Sequence, residues 1–99
     1  MDVKLIHEKI RELVEVPEEE KHELRGRIKN FYIIQRYTRN SDNELEEIFI
    51  SSQEINISLV LNSKGVSSVT YIKDGKIEGK ILNEEEVQKL VNEIIKLLS

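Results

Sequence analysis

The sequence of 99 residues contains no cysteine, alanine or tryptophan, one proline, one methionine and four glycines. Because thiols are absent, a disulfide scaffold, a thiolate zinc site, an iron–sulfur cluster and a cysteine nucleophile are all excluded. No apolar run is long enough to cross a bilayer as a helix, so we expect no membrane partner. The first residues lack a basic stretch followed by an apolar one, so we expect no signal peptide and a cytoplasmic location.

The apolar residues that are present are bulky. Of the 38 apolar residues, 32 are Ile, Leu or Val, and Ile alone accounts for 14. A chain of this length with such side chains fits a single domain, residues 1–99, with a substantial core. The abundance of Glu, Lys and Ile is typical of hyperthermophile proteins, and equally of proteins from genomes poor in GC.

Residues 1–25 predict a helical N-terminal segment. Asp2 suits an N-cap position, and apolar residues recur at helical spacing over residues 2–15, which predicts a first helix. Pro17 interrupts this pattern, and the glutamates that follow it suit the first turn of a second helix over residues 17–25. Gly26 would end that helix. A single kinked helix over the whole segment is the alternative.

Between residues 27 and 82 the apolar period falls to two, which predicts an antiparallel sheet. Clusters of turn-forming residues divide this stretch into consecutive strands, so the sheet is a meander. The last turn, Asp74-Gly75, is a strong two-residue hairpin signal. The five predicted strands cover residues 28–38, 45–51, 55–62, 66–73 and 76–82.

The turns also predict which side of the sheet is buried, because a register fixes the face of every side chain. A two-residue turn at Asp74-Gly75 pairs Ile72 with Ile77, and a four-residue turn pairs Leu61 with Val66. The predicted buried face then carries Leu59, Leu61, Val66, Ile72, Ile77 and Ile81. The predicted solvated face carries Val69, Tyr71, Lys73, Lys76 and Lys80.

Residues 83–98 predict a C-terminal helix that packs on one face of the sheet. Asn83 and Glu86 have the spacing of a capping box, and apolar residues form one stripe along the following turns. The complete prediction is an α+β fold with an N-terminal helix or kinked helix pair, a five-stranded antiparallel meander and this helix.

No pattern of catalytic or metal-binding residues stands out. His7 and His22 are the only histidines. Each is followed by Glu, and neither fits a metalloprotease pattern. Their setting predicts solvated surface positions. The glycines do not form a phosphate-binding loop. We therefore expect no enzyme activity, no catalytic residues, no cofactor and no metal.

The segment from Arg25 to Arg39 is the most unusual stretch, because it holds four of the five arginines together with Phe31, Tyr32 and Tyr37. Arginine matches phosphate geometry, and aromatic rings offer stacking surfaces for unpaired bases. The residues that this pattern predicts for nucleic-acid binding are Arg25, Arg27, Lys29, Arg36, Tyr37, Arg39, Tyr71, Lys73 and Lys80.

The same arginines could instead form cross-strand ion pairs with Glu44, Glu46 and Glu47, or pair with the acidic N-terminal segment. The sequence pI of about 5.3 is far from the basic balance of a strong nucleic-acid binder. We therefore expect a small non-catalytic interaction protein, an accessory subunit or adaptor that binds a protein partner or self-associates as a homodimer. Single-stranded nucleic-acid binding through residues 25–39 is the alternative.

A strand meander followed by a helix opening at Leu82-Asn83-Glu84-Glu85-Glu86 is similar in topology to Whirly and transcriptional-coactivator domains that bind single-stranded DNA. The similarity covers about residues 28–98 and includes no diagnostic motif. The acidic N-terminal segment and the number of strands depart from that arrangement. The resemblance implies a nucleic-acid partner, although topology alone does not assign function.

Overall fold

The computed structural model describes residues 3–20 and 23–99, and these residues fold as a helix, an antiparallel sheet and a second helix. Each strand pairs with the next one along the chain, so the seven-stranded sheet is a meander. The elements are α1 (Val3–Leu13), β1 (Glu15–Glu20), β2 (Glu23–Ile28), β3 (Phe31–Asn40), β4 (Asn43–Ser51), β5 (Asn56–Asn62), β6 (Ser67–Lys73), β7 (Lys76–Leu82) and α2 (Glu84–Leu98).

The α+β class, the two terminal helices and the antiparallel meander are confirmed, but the sheet has seven strands where five were predicted. The predicted second helix over residues 17–25 is wrong, because β1 and β2 occupy this stretch. Glu18 lies opposite Arg25, and Glu15 lies opposite Arg27. Opposite charges placed directly across a strand pair stabilise it, which favours a strand over a helix for the glutamate run.

Pro17 and Gly26 have roles in this hairpin that differ from the predicted helix start and helix end. Pro17 lies in β1, which is an edge strand, where a missing N–H donor is tolerated. The register of β1 against β2 shifts between Glu15 and Glu18, around Pro17. Gly26 faces Val14, and a Cβ at Gly26 would overlap Val14 Cγ1.

The predicted strand over residues 28–38 is interrupted by a tight turn at Lys29 and Asn30. Ile28 pairs with Phe31, and Lys29 adopts a left-handed backbone with φ of 55°. Since glycine is absent from this turn, the sequence carries a weak turn signal there. The turn reverses the chain, so residues before and after it belong to different strands.

Both helices pack on one face of the sheet, which we call the covered face. Helix α1 buries Val3, Ile6 and Ile10, and α2 buries an apolar stripe as its sequence predicted. The capping box is confirmed, since Asn83 Oδ1 accepts from the Glu86 N–H at 2.9 Å and Glu86 Oε1 accepts from the Asn83 N–H at 3.1 Å. The predicted N-cap Asp2 lies outside the described residues.

The predicted register at Asp74-Gly75 is confirmed, because Ile72 pairs with Ile77. The next turn back is one residue shorter than predicted, since Val60 pairs with Ser68 and this places Asn62 opposite Val66. A slip of one residue moves a whole strand to the opposite face. The covered face therefore receives Leu59, Leu61, Val69 and Tyr71, whereas Ile72, Ile77 and Ile81 face the other way.

Gly26→Ala is expected to lower the free energy of unfolding by about 1 to 3 kcal/mol, because the added methyl group meets the buried, β-branched Val14. Chemical denaturation of the two proteins measures the difference. The double variant Val14→Ala/Gly26→Ala makes room for that methyl group and serves as the control. A single variant as stable as the wild type would contradict the close packing of β2 against Val14.

Candidate interaction surface

The face of the sheet opposite the helices, which we call the open face, has no covering element among residues 3–20 and 23–99. Its side chains follow from the registers, since directly paired residues share a face. They divide the open face into a charged half on β2 to β4 and an apolar and hydroxyl-bearing half on β5 to β7.

The apolar half of the open face carries the most exposed large apolar side chains of the sheet. Ile77 is 75% exposed, Ile81 is 72% exposed and Ile72 is 40% exposed. They form adjacent positions on β6 and β7, because Ile72 pairs with Ile77 and Ser68 pairs with Ile81. We call Ile72, Ile77 and Ile81 the isoleucine patch. Adjoining apolar positions on β5 to β3, Val60, Phe49 and Ile34, are half-buried.

In the charged half, carboxylates and arginines pair with each other. Glu23 contacts Arg25 Nε at 2.7 Å and Arg36 at 3.0 Å. The Arg25 guanidinium holds the pKa of the Glu23 carboxyl below its ordinary value, and Arg36 adds to this effect. Arg36 also lies opposite Glu47 of β4. The basic side chains of this half are therefore set among acidic ones.

A cleft of about 780 Å³ lies at one end of the sheet, where the β2–β3 turn meets the loop after β4. Two basic and two aromatic side chains contribute to it: Arg27, Lys29, Phe31 and Tyr32. The loop side contributes Ser51, Ser52, Gln53 and Glu54. Two of the residues predicted to contact nucleic acid, Arg27 and Lys29, line this cleft together with the rings of Phe31 and Tyr32.

The nine residues predicted to bind nucleic acid do not share one surface. Three of them lie on the open face: Arg25, Arg27 and Arg36. Lys29 lies in the β2–β3 turn. The remaining five occupy positions on the covered side: Tyr37, Arg39, Tyr71, Lys73 and Lys80. The two groups lie on opposite faces, because the turn at residues 29–30 places Arg25 and Arg27 on the same face as Arg36. Nucleic-acid binding by these residues stays a prediction.

Several members of the covered-side group already have partners inside the chain. Tyr37 Oη donates to Glu44 Oε2 at 2.8 Å, and Lys80 Nζ forms an ion pair with Glu86 of α2. This contact raises the pKa of Lys80. The ring of Tyr71 packs against the core. These side chains thus make contacts that stabilise the folded chain itself.

A buried polar cluster under α1 was missed by sequence reasoning, which predicted a solvated His7. His7 Nδ1 lies 2.8 Å from Glu46 Oε2, and the Glu46 side chain is fully buried. Gln35 Nε2 donates to the His7 carbonyl oxygen at 3.0 Å, and the Tyr37 ring lies 5.0 Å from the His7 ring. The cluster ties α1 to β3 and β4.

Burial raises the pKa of Glu46, although His7 beside it acts in the opposite direction. Glu46 Oε1 and Gln35 Oε1 accept no hydrogen bond from the described part of the chain. Among these residues, no group of three His, Asp or Glu side chains is arranged to hold a metal ion. No described helix is long and apolar enough to span a membrane.

Glu46→Gln is expected to change how stability depends on pH. A raised folded-state pKa means that the folded protein holds a proton which the unfolded chain has released, so wild-type stability falls as pH rises through the folded pKa of Glu46. The variant cannot titrate there, so its stability should rise relative to that of the wild type as the pH is raised from about 4 to about 7. Denaturant unfolding at a series of pH values measures this gain.

The matched control is Glu47→Gln, which changes an exposed carboxylate on the same strand. Its stability profile should run parallel to that of the wild type over this range. If the stability profile of Glu46→Gln also runs parallel to that of the wild type, folding does not change proton binding by the buried Glu46 carboxyl.

Comparisons with protein-family models, with curated proteins and with solved structures found no match for this chain. The topological similarity to Whirly and coactivator domains thus gains no support from them. The function has to be inferred from the surface itself.

Proposed function

We propose that this protein is a small non-catalytic interaction protein, an accessory subunit or adaptor that binds a protein partner or a second copy of itself. The surface that carries the proposal is the isoleucine patch on the open face. Exposed apolar side chains that adjoin each other and are bordered by polar groups are typical of protein interaction sites. The cytoplasmic location expected from the sequence stays a prediction.

The distribution of charge on the open face supports a protein partner over a nucleic acid. Around the isoleucine patch the neighbouring open-face positions carry hydroxyl groups, such as Ser68 and Thr70, and no charges. At the other end, Arg25 and Arg36 share Glu23. A backbone of phosphates would have to displace that carboxylate, whereas an apolar protein surface can cover the patch without breaking an ion pair.

Ile72→Lys tests the open face. The side chain is already 40% exposed, so the change should leave the free energy of unfolding within about 0.5 kcal/mol of the wild type. A lysine there would have to be desolvated in an apolar contact, so proteins crosslinked to the tagged wild-type chain in its native lysate should be lost. Quantitative mass spectrometry of the recovered proteins measures the loss.

Leu97→Lys is the matched control, because Leu97 is 46% exposed and lies on α2, away from the open face. This variant should recover the same proteins as the wild type. Equal recovery with all three chains would show that the open face is not the binding surface. A wild-type chain that recovers nothing and stays monomeric at high concentration would remove the proposal altogether.

The cleft at the β2–β3 turn favours a second candidate function, binding of single-stranded nucleic acid. If this candidate is right, a labelled oligonucleotide should bind the wild type at low salt with an affinity that falls steeply as salt is added. Arg27→Glu/Lys29→Glu should weaken binding at least about tenfold. Lys89→Glu/Lys96→Glu makes the same charge change on α2 and should not. Fluorescence anisotropy measures both, and absence of binding at low salt would dismiss the candidate.

A further inference from the structure

Strand β7 presents an open edge. Within residues 3–20 and 23–99 it hydrogen-bonds to β6 on one side only, and six of its seven residues are exposed while Leu82 is half-buried. Such an edge offers a row of N–H and C=O groups that can pair with another strand. The opposite edge, β1, contains Pro17 and an irregular register, so it is a poorer template.

The turn at Asp74-Gly75 identifies which backbone groups of β7 point outward. Both residues have positive φ, 52° and 76°, as a type I′ turn requires. In such a two-residue hairpin the flanking pair, Lys73 and Lys76, exchanges the first hydrogen bonds, and every second pair after it does the same. The N–H and C=O groups of Ile77, Gly79 and Ile81 therefore point to the free edge.

We propose that two copies of this chain form a two-fold symmetric dimer in which their β7 strands pair antiparallel about Gly79. In this register Ile77 lies opposite Ile81 of the second copy, and Glu78 lies opposite Lys80 of the second copy. Symmetry repeats each pair, so the edge is complementary to itself in both shape and charge. The dimer deepens the proposed function by naming one partner, and it uses the edge of the sheet while its open face stays accessible.

Charge selects this register over its neighbours. Paired residues must share a face, so the two-fold axis has to pass through a residue position. The nearest alternative registers therefore place the axis at Glu78 or at Lys80. The first shift places Glu78 opposite itself and Lys76 opposite Lys80, and the second places Lys80 opposite itself. Like charges directly opposite each other destabilise a strand pair. Larger shifts leave fewer than half of the strand's seven residues paired.

The proposed dimer gives a reason for a glycine at position 79, whereas the packing of the single chain gives none. Its φ is not positive, and a Cβ there would have no heavy atom nearer than 3.9 Å. A glycine inside a strand is unfavourable and often marks a place where another backbone approaches closely. On the symmetry axis, two Gly79 residues lie opposite each other between the pairs of Ile77 and Ile81.

In the single chain, Glu78 and Lys80 already lie on the same side of β7, as the proposed ion pairs between copies require. Lys80 is held by Glu86 of α2, which fixes its ammonium group on the covered side at the edge of the sheet. Glu78 points to the same side, since it pairs with Tyr71 of the covered face, and the ion pairs among the described residues do not include it. The second copy would supply that partner at the closer, non-hydrogen-bonded type of strand position.

A charge-reversal cycle on the full chain tests the dimer by sedimentation equilibrium. The wild type should dimerise, and Glu78→Lys and Lys80→Glu should each raise the dissociation constant at least about tenfold, because like charges then face each other. The double variant Glu78→Lys/Lys80→Glu restores opposite charges and should recover most of the affinity. Thermal unfolding of each variant checks that Lys80→Glu has not simply lost its contact with Glu86.

Three outcomes would overturn the proposal. The wild type could remain monomeric over the whole concentration range, or the double variant could associate no better than the single ones. Stronger association of the single variants than of the wild type would show that the edge charges prevent pairing, as lysines on edge strands commonly do.

A crosslink tests the register directly, since the chain has no cysteine of its own. Gly79→Cys should be joined to its copy by a short bismaleimide, because residue 79 faces itself across the axis. Leu97→Cys on α2 should not be joined. Equal yields from both would contradict pairing about Gly79.

The dimer and the open-face proposal can fail separately. Ile72→Lys should leave the dimer intact, because Ile72 lies on β6 and away from the β7 edge. Glu78→Lys should leave binding of another protein to the open face intact, because Glu78 lies on the covered side.

Discussion

The length of each turn decides which side chains of this protein form its core. Seven strands are joined one after another, so the length of each turn determines which face the side chains of the following strands occupy. With Asn62 opposite Val66, Leu59 and Val69 reach the same face and pack under the helices. The same turn lengths place the isoleucines of β6 and β7 on the face that neither α1 nor α2 covers. The core and the candidate interaction surface therefore both follow from the turn lengths.

Acidic and basic stretches of the sequence come to lie next to each other in this topology. In a meander, neighbours in sequence are neighbours in the sheet, so an acidic strand, a basic hairpin and a second acidic strand lie side by side. Glu18 faces Arg25, and Glu44 faces Arg39. Opposite charges therefore lie next to each other across β1 to β4. The only half of the open face without charge is the isoleucine-bearing half.

Local signals in the sequence predicted the elements whose boundaries are set locally. The capping box of α2, the hairpin at Asp74-Gly75 and the alternation along β5 depend on residues a few positions apart, and the structure has all of them. The hairpin of β1 and β2 was misread, because a proline followed by glutamates suits a helix start as well as an acidic edge strand. The edge strand is favoured because the basic strand β2 lies opposite these glutamates in the sheet.

Features that depend on contacts between residues far apart in the sequence could not be predicted from local patterns. A turn between β5 and β6 that is one residue shorter than expected moved Ile72, Ile77 and Ile81 to the open face, although β5, β6 and β7 lie close to their predicted positions. His7 and Glu46 are far apart in sequence and meet only because α1 crosses β4. For the candidate surface, the sequence suggested a protein partner or self-association, but it placed the three isoleucines on the predicted buried face. No spacing pattern could show that they lie on the open face.

The difference between the two edge strands limits how large an assembly of this sheet can grow. Pro17 removes an N–H donor from β1, and the irregular register around it interrupts the row of groups that another strand would need. A pair joined through β7 presents only this interrupted edge at both of its ends. In the proposed dimer, growth by strand addition would therefore stop at two copies, because Pro17 and the irregular register of β1 leave no uninterrupted edge for a third.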